Sequence, residues 1–172
     1  MAAPPLRLRP LGPLDEAPFV AAQRSLEATD GFPFGFAHEE GMDWGAYLAG
    51  IEAHRRGDDL PDHLVPATFL VADVGGTIVG RSSIRHELND FLAHEGGHIG
   101  YGVLVEHRRR GYATEILRQS LVIARAVGVE RALVTCDDDN AGSAAVIERC
   151  GGGLQDVVEA DDGRTVRRYW ID

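Results

Sequence analysis

His107-Arg108-Arg109-Arg110-Gly111-Tyr112-Ala113-Thr114 stands between an apolar β-like run, Ile99 to Val105, and an amphipathic helical run, Ala113 to Val127. A basic, glycine-containing turn from strand to helix is an anion cradle. The turn presents successive backbone N–H groups, and the first helical turn leaves its donors unpaired at the positive end of the helix dipole. Phosphate oxygens fit such a place. Gly111 can take a positive φ and lets a pyrophosphate approach without a Cβ in the way. The candidate donors are the backbones of Arg109, Arg110, Gly111, Tyr112, Ala113 and Thr114, with charge attraction from the side chains of Arg108 to Arg110. The segment lacks the Lys and Ser/Thr of G-x-x-x-x-G-K-[ST] and is not G-x-G-x-x-G, which disfavours ATP and NAD sites.

Downstream, the β-rich Arg131-Ala132-Leu133-Val134-Thr135-Cys136 leads into Asp137-Asp138-Asp139-Asn140-Ala141-Gly142-Ser143 and a short helical run that stops at Cys150-Gly151. Arg108-x-x-Gly111-x-Ala113, entered from an apolar strand and followed by a helix, resembles the acetyl-coenzyme A signature Arg/Gln-x-x-Gly-x-Gly/Ala of the GNAT acetyltransferase superfamily. Asn140-x-x-Ser143 is similar to that family's Asn-x-x-Ser/Ala. The resemblance implies acetyl-CoA as acyl donor, Asn140 meeting the pantetheine arm or a bound water and Ser143 facing the coenzyme. Asn and Ser also cap helices, so capping is an alternative role for both. The blocks Ile84-Arg85-His86-x-Leu88-Asn89, Gly96-Gly97-His98-Ile99-Gly100-Tyr101-Gly102-Val103 and Arg168-Tyr169-Trp170-Ile171 resemble a GNAT subgroup of predicted acetyltransferases whose acceptor is unassigned.

The run of elements agrees with that resemblance. Strands are expected at Leu6 to Leu11, Ala67 to Asp73, Thr77 to His86, Ile99 to Val105, Arg131 to Cys136, Gly153 to Glu159 and Arg164 to Ile171, with Gly75-Gly76 as a hairpin signal. Helices are expected at Asp15 to Ala28, Trp44 to Arg56 behind the cap Asp43, Ala113 to Val127 and Ala141 to Cys150, with one helical turn at Asn89 to His94. Ala113, Ile116, Leu117, Leu121, Ala124 and Val127 recur at three- and four-residue steps, so one face of that helix packs on a sheet. The implied architecture is an α/β (α+β) GNAT fold. Its central mixed, mostly antiparallel sheet has about seven strands, splayed between the fourth and fifth and flanked by helices.

One departure bears on mechanism. Many GNAT enzymes carry a tyrosine on the last helix that protonates the departing thiolate, and the matching position here is Ile147. The resemblance implies direct attack of a neutral amine on the acetyl thioester, the carbonyl polarised by backbone N–H groups on the splayed strand around Val103 and Val105. Candidate bases are His98, Glu87 and His86, since an imidazole or carboxylate near the strand opening can take the proton. Tyr101 and Tyr112 are candidate substitute acids. Cys136 follows an apolar strand and precedes three aspartates, which favours a buried structural thiol over a nucleophile. The histidines show no metal-ligand spacing, and no metal is expected.

The 172 residues, 44% of them hydrophobic, suit a single domain, 1–172. No apolar run approaches the ~20 residues of a membrane span, and Met1-Ala2-Ala3-Pro4-Pro5-Leu6-Arg7 lacks the apolar core of a signal peptide. Two cysteines without metal spacing agree with a reducing, cytoplasmic setting. A net charge of −10 repels nucleic acid and anionic membrane and favours a cationic or amine acceptor, with Glu39, Glu40, Asp43, Asp58, Asp59 and Asp62 as residues that could line its groove. Phe32, Phe34 and Phe36 could cover that groove or enter the core. The expected function is acetyl transfer to a primary amine, whether a small molecule, a peptide N-terminus or a lysine. The alternatives are a non-catalytic acyl-CoA sensing module and O-acylation, and a homodimer is left open.

Overall fold

A computed structural model describes residues 4–172. Met1 to Ala3, part of the start read above for a leader, lie outside the described residues. The first strand, β1 (Leu6–Arg9), ends before Pro10, which has no N–H to give a ladder. Helix α1 (Glu16–Asp30) stops at left-handed Gly31. Helix α2 (Trp44–Arg56) begins where Asp43 accepts from the Ala46 N–H at 2.8 Å. The hairpin β2 (Ala67–Val74) and β3 (Thr77–Arg85) turns at Gly75-Gly76, as its diglycine predicts. Asn89 then accepts from the Leu92 N–H at 2.9 Å and opens a wide π-type turn, Leu92–Gly96, where an ordinary helical turn is predicted.

Strand β4 (Ile99–Val103) is shorter than the expected Ile99 to Val105. The chain bends into a 3-10 turn at Val105–His107, closed by the His107 N–H on the Leu104 carbonyl at 2.9 Å, so Val105 does not belong to the strand. Then follow α3 (Tyr112–Ala126), β5 (Ala132–Asp137), α4 (Ala141–Arg149), β6 (Gly153–Glu159) and β7 (Thr165–Ile171). The seven strands form antiparallel sheets of four, in the order β1-β2-β3-β4, and three, in the order β5-β7-β6. The division falls between the fourth and fifth strands, where the splay is expected.

The two faces have separate cores. On one, Leu117, Leu121 and Ala124 of α3 and Ile147 of α4 pack with Ile84, Ile99, Val134 and Tyr169 from the strands, and Ile116 of α3 packs with Leu6, Ala72, Val79 and Val103. The buried positions of α3 follow the apolar stripe read from the sequence. On the other face, Phe19 and Leu26 of α1 and Trp44 and Tyr47 of α2 close over Phe69 and Val71. Phe19 is fully buried against Phe34, Trp44 and Tyr47, a burial that contributes about 1.5–3 kcal/mol. The three loop phenylalanines divide: Phe34 enters this core while Phe32 and Phe36 stay half exposed.

The sheets meet at the base of the split. The His98 N–H donates to the Leu133 carbonyl at 2.7 Å, and the Leu133 N–H donates to His98 Nδ1 at 2.9 Å. An imidazole nitrogen thus stands in for a ladder carbonyl. Close approach depends on Gly97, at φ +65°, where an added Cβ would sit 2.7 Å from the Leu133 oxygen. Among the described residues, no further strand pairing joins β4 to β5.

Because Nδ1 must keep its lone pair to accept, the His98 ring is neutral in the fold. Burial, with the nearby Arg85 charge, holds its pKa below the ordinary 6.5. The unfolded chain therefore binds this proton at higher pH than the folded one. Its contribution is complete above about 6.5 and is lost as the pH falls toward the folded pKa. Thermal melts of the wild type should lose stability on acidification from about pH 7.5 to 5. His98→Phe should lower stability at the upper pH by about 1–3 kcal/mol, through the orphaned Leu133 N–H, and flatten the slope to the part left by His86. An unaltered slope in His98→Phe would refute the assignment.

Candidate active site

The basic turn takes the shape its sequence predicts. After the 3-10 turn, Arg109 adopts φ +62° and Gly111 φ +81°, left-handed residues on either side of Arg110, and backbone that alternates in this way forms anion-binding concavities. No side chain caps α3, and its first intrahelical bond is from the Glu115 N–H to the Gly111 carbonyl at 3.2 Å. The N–H groups of Tyr112, Ala113 and Thr114 therefore have no helical acceptor. A Cβ on Gly111 would meet nothing within 4 Å, so the space over the turn is open to a ligand. Fifteen residues of anchored helix orient these donors, and the arrangement fits the diphosphate of a coenzyme.

The three arginines of the turn differ. Arg108 donates through Nε to the Val103 carbonyl at 3.0 Å and pairs with Asp30 at the end of α1, so it ties the turn to the strand and helix. Arg110 donates to the Glu106 carbonyl at 3.2 Å, and Arg109 is exposed. Val105 is half exposed in the 3-10 turn, which corrects the expectation that its N–H lines the splayed strand.

Val103 keeps that position. The Arg85 N–H donates to the His98 carbonyl at 2.7 Å and the Leu104 N–H to the Val79 carbonyl at 3.0 Å. Even-numbered residues of this stretch thus bond β3, and the backbones of Ile99, Tyr101 and Val103 turn toward the split. The Tyr101 hydroxyl crosses the split and donates to Ser143 Oγ on α4 at 3.2 Å. Burial pushes the Tyr101 pKa up to about 12, so the phenol holds its proton at neutral pH. Asn140 accepts from the Ser143 N–H at 3.0 Å and caps α4, with its side-chain amide on the exposed side. Ile147, at the family's tyrosine position, is fully buried. Cys136 is a buried free thiol, pushed up to about 11 chiefly by burial.

On the opposite face of the four-stranded sheet, a cleft of about 360 Å³ opens between α2, the loop before it, β2, β3 and the turn after β3. Phe36, Met42, Tyr47, Ile51, Phe69 and Phe91 make it largely apolar. His54 lies in its wall, its Nε2 2.9 Å from the Val65 carbonyl. A carbonyl cannot donate, so Nε2 carries the hydrogen and the lone pair is on Nδ1. Arg85 also lines the cleft, with buried Arg81 beside it. The acidic residues expected to form an acceptor groove do not line it: Glu40 pairs with Arg24, Asp58 with Arg56, and Asp43 caps α2. Surface charge satisfied by neighbours is the physical reason.

Arg108 holds the turn against Val103, and Tyr101 of the same strand reaches Ser143, which Asn140 caps. The three expected bases lie toward the closed end of the split. His98 is committed to Leu133, His86 Nε2 lies 2.8 Å from Thr68 Oγ1, and Glu87 is exposed. Burial lowers the pKa of His86, aided by the Arg55 charge. Sequence reading missed Arg81, Arg85 and His54. Two arginines four residues apart in a strand with no other charged residue were the available signal for the first two, because that spacing puts both on one face. Among the described residues, no group of three or more His, Cys, Asp or Glu is placed to hold a metal ion, and no helix is long and apolar enough to cross a membrane.

Comparison with solved structures gives the same architecture. The chain is similar to yncA from Salmonella typhimurium, described as a putative acetyltransferase with its cofactor acetyl-CoA, at 15% identity and TM-score 0.65 over 97% of this chain and 93% of that one. It is also similar to RimL, a ribosomal L7/L12 alpha-N-protein acetyltransferase in complex with coenzyme A, at 17% identity and TM-score 0.68, over 96% and 93% of the two chains. The microcin C7 self-immunity acetyltransferase MccE, in complex with acetyl-CoA and AMP, is similar at 17% identity and TM-score 0.67, over 96% and 91%. No curated protein matches. The family described as "Acetyltransferase (GNAT) domain" matches residues 6–152, and with the split sheet and the turn before α3 already in place, the chain belongs to the GNAT acetyltransferase family.

Proposed function

We propose that this protein is an acetyl-CoA-dependent N-acetyltransferase, working as one domain, that acetylates a primary amine bound in the apolar cleft. The observation that carries the reading is the pairing of an uncapped helix N-terminus at the open end of the split with a separate cleft on the other face of the four-stranded sheet. A donor held at the turn and an acceptor held in the cleft would then meet across β4.

The backbones of Arg109 to Thr114 hold the diphosphate, and Asn140 and Ser143 border the path of the arm. The bound coenzyme supplies an activated acetyl thioester. Backbone N–H groups facing the split, that of Val103 first, are placed to polarise its carbonyl. The neutral amine attacks directly: the C–N bond forms, the C–S bond breaks, one proton leaves nitrogen and one is taken by sulfur. Tyr101 supplies the sulfur's proton, since its raised pKa keeps it protonated and it reaches across the split in place of the absent tyrosine at Ile147. For the nitrogen's proton, His54 replaces His98, whose lone pair is in use, while His86 and Glu87 stand outside the cleft wall.

Acetyl-CoA should raise the melting temperature in a concentration-dependent way, by the equivalent of about 2.7 kcal/mol at a hundredfold excess over Kd. Gly111→Val should abolish the response, because a β-branched side chain neither tolerates that φ nor leaves the approach open. A normal response in Gly111→Val would show that the phosphates bind elsewhere.

Rates with a productive amine should separate the proton carriers. Tyr101→Phe and His54→Gln should each lower kcat by roughly 10²-fold or more while the coenzyme-induced melting shift persists. His86→Ala and Glu87→Gln should retain most of the rate. Full activity in Tyr101→Phe would mean that the thiolate leaves unassisted. Tight coenzyme binding with no turnover on any amine would favour the sensing module.

A further inference from the structure

Beside the cleft lie two arginines without counter-ions. Arg81 is only 4% exposed, its Nη1 and Nη2 reach the Gly100 and Pro33 carbonyls at a long 3.4 Å each, and its buried Nε has no hydrogen-bond partner. The Phe32 ring covers it at 4.6 Å. Arg85 donates to the Gly96 carbonyl at 3.3 Å and lines the cleft. Among the described residues, neither guanidinium has a carboxylate partner. By contrast Arg9, Arg108, Arg164, Arg167 and Arg168 all meet one.

The two groups converge on bare backbone. A Cβ on Gly100 would lie 3.1 and 3.4 Å from the Arg85 Nη atoms and 3.6 Å from Arg81 Nη1. Two like charges brought so close, out of water and without compensation, destabilise the empty fold. The pKa of Arg81 is driven down to about 9 by burial and by Arg85, which still leaves it charged at neutral pH. A chain of net charge −10 has carboxylates in excess and places none here. Planar guanidinium groups bind a carboxylate through paired N–H donors.

Resting on the reading of the cleft as the acceptor site, we infer that the acceptor is a small amino acid: a primary amine whose neighbouring carbon carries a carboxylate held by Arg81 and Arg85 and whose apolar body fills the cleft. About 360 Å³ is at the small end of ligand pockets, and aromatic walls suit an apolar side chain. With the carboxylate on Arg85 at the cleft wall, an amine one carbon away lies toward β4, where Gly100 and Gly102 contribute no side chain. A peptide N-terminus or a protein lysine carries no carboxylate at that distance. The site therefore selects among the amine classes.

The test compares L-phenylalanine, L-phenylalaninamide and phenethylamine as acceptors with acetyl-CoA. The free acid should exceed both analogues that lack the carboxylate in kcat/KM by roughly 10²-fold. Arg85→Gln, and Arg85→Lys, which keeps the charge but not the fork, should lose that preference. Equal rates for acid and amide in the wild type would overturn the inference while leaving acetyl transfer standing.

Binding is read separately from turnover. The carboxylate 3-phenylpropionate, which has no amine, should raise the wild-type melting temperature saturably and fail to do so in Arg81→Met or Arg85→Gln. A response to inorganic phosphate but not to the carboxylate would overturn the assignment. Arg81→Met should also melt about 2–4 °C higher than the wild type without ligand, as expected when a buried unpaired charge is removed. A lower melting temperature would mark Arg81 as a structural tie and remove it from the site. If the carboxylate response holds but no amine is acetylated, the anion site stands and the transfer reading falls.

Discussion

The reciprocal contact between His98 and Leu133 sets the geometry on which the rest depends. An ordinary ladder would continue along β4 and β5 and close the sheet. Here one backbone bond and one imidazole bond join the strands at their base, and beyond them no strand pairing follows among the described residues. The strands then diverge, and the backbone of Val103 faces a split instead of a partner. Buried polar groups without partners are costly, so such an opening is tolerated where a ligand can satisfy them. The same residue that closes the base is thereby unsuited to proton transfer, because its lone pair already has a donor.

Around that split the two faces divide the work by chemistry. The face covered by α3 and α4 offers oriented backbone donors at the helix start and a phenol crossing from Tyr101 to Ser143. The face covered by α1 and α2 is apolar and aromatic, interrupted by Arg81 and Arg85. Glycines 100 and 102 leave the strand between them thin. Although the protein as a whole is strongly acidic, most of its carboxylates are engaged at the surface, as with Arg56 and Asp58, Arg164 and Asp162, and Arg167 and Asp138. Local charge at the cleft is therefore opposite in sign to the net charge. Net charge governs long-range attraction and repulsion, while buried groups govern what is held.

Several elements were legible because their signals are local. The stripe Ile116, Leu117, Leu121 and Ala124 needs only the helical period to show its buried face, and Gly111 before a helix announces a left-handed turn. Asp43 and the diglycine at 75 and 76 acted as a cap and a hairpin turn, as their chemistry requires. The boundary at Val105 was missed because apolar residues continue past the point where the 3-10 turn ends the strand. The turn after Asn89 was missed in type because π and α turns share the same residues.

The sequence by itself determined the strand and helix order and the left-handed glycine turn into an uncapped helix at Gly111, since each depends on residues adjacent along the chain or on a fixed period. Only the tertiary structure decided that His98 fastens two sheets, that Tyr101 reaches α4, that Phe34 is buried while Phe32 covers Arg81, and that Arg81 and Arg85 lack carboxylate partners. Whether a histidine is base or fastener, and whether an arginine is paired or waiting for an anion, depends on groups brought from distant parts of the chain. No local pattern records those neighbours.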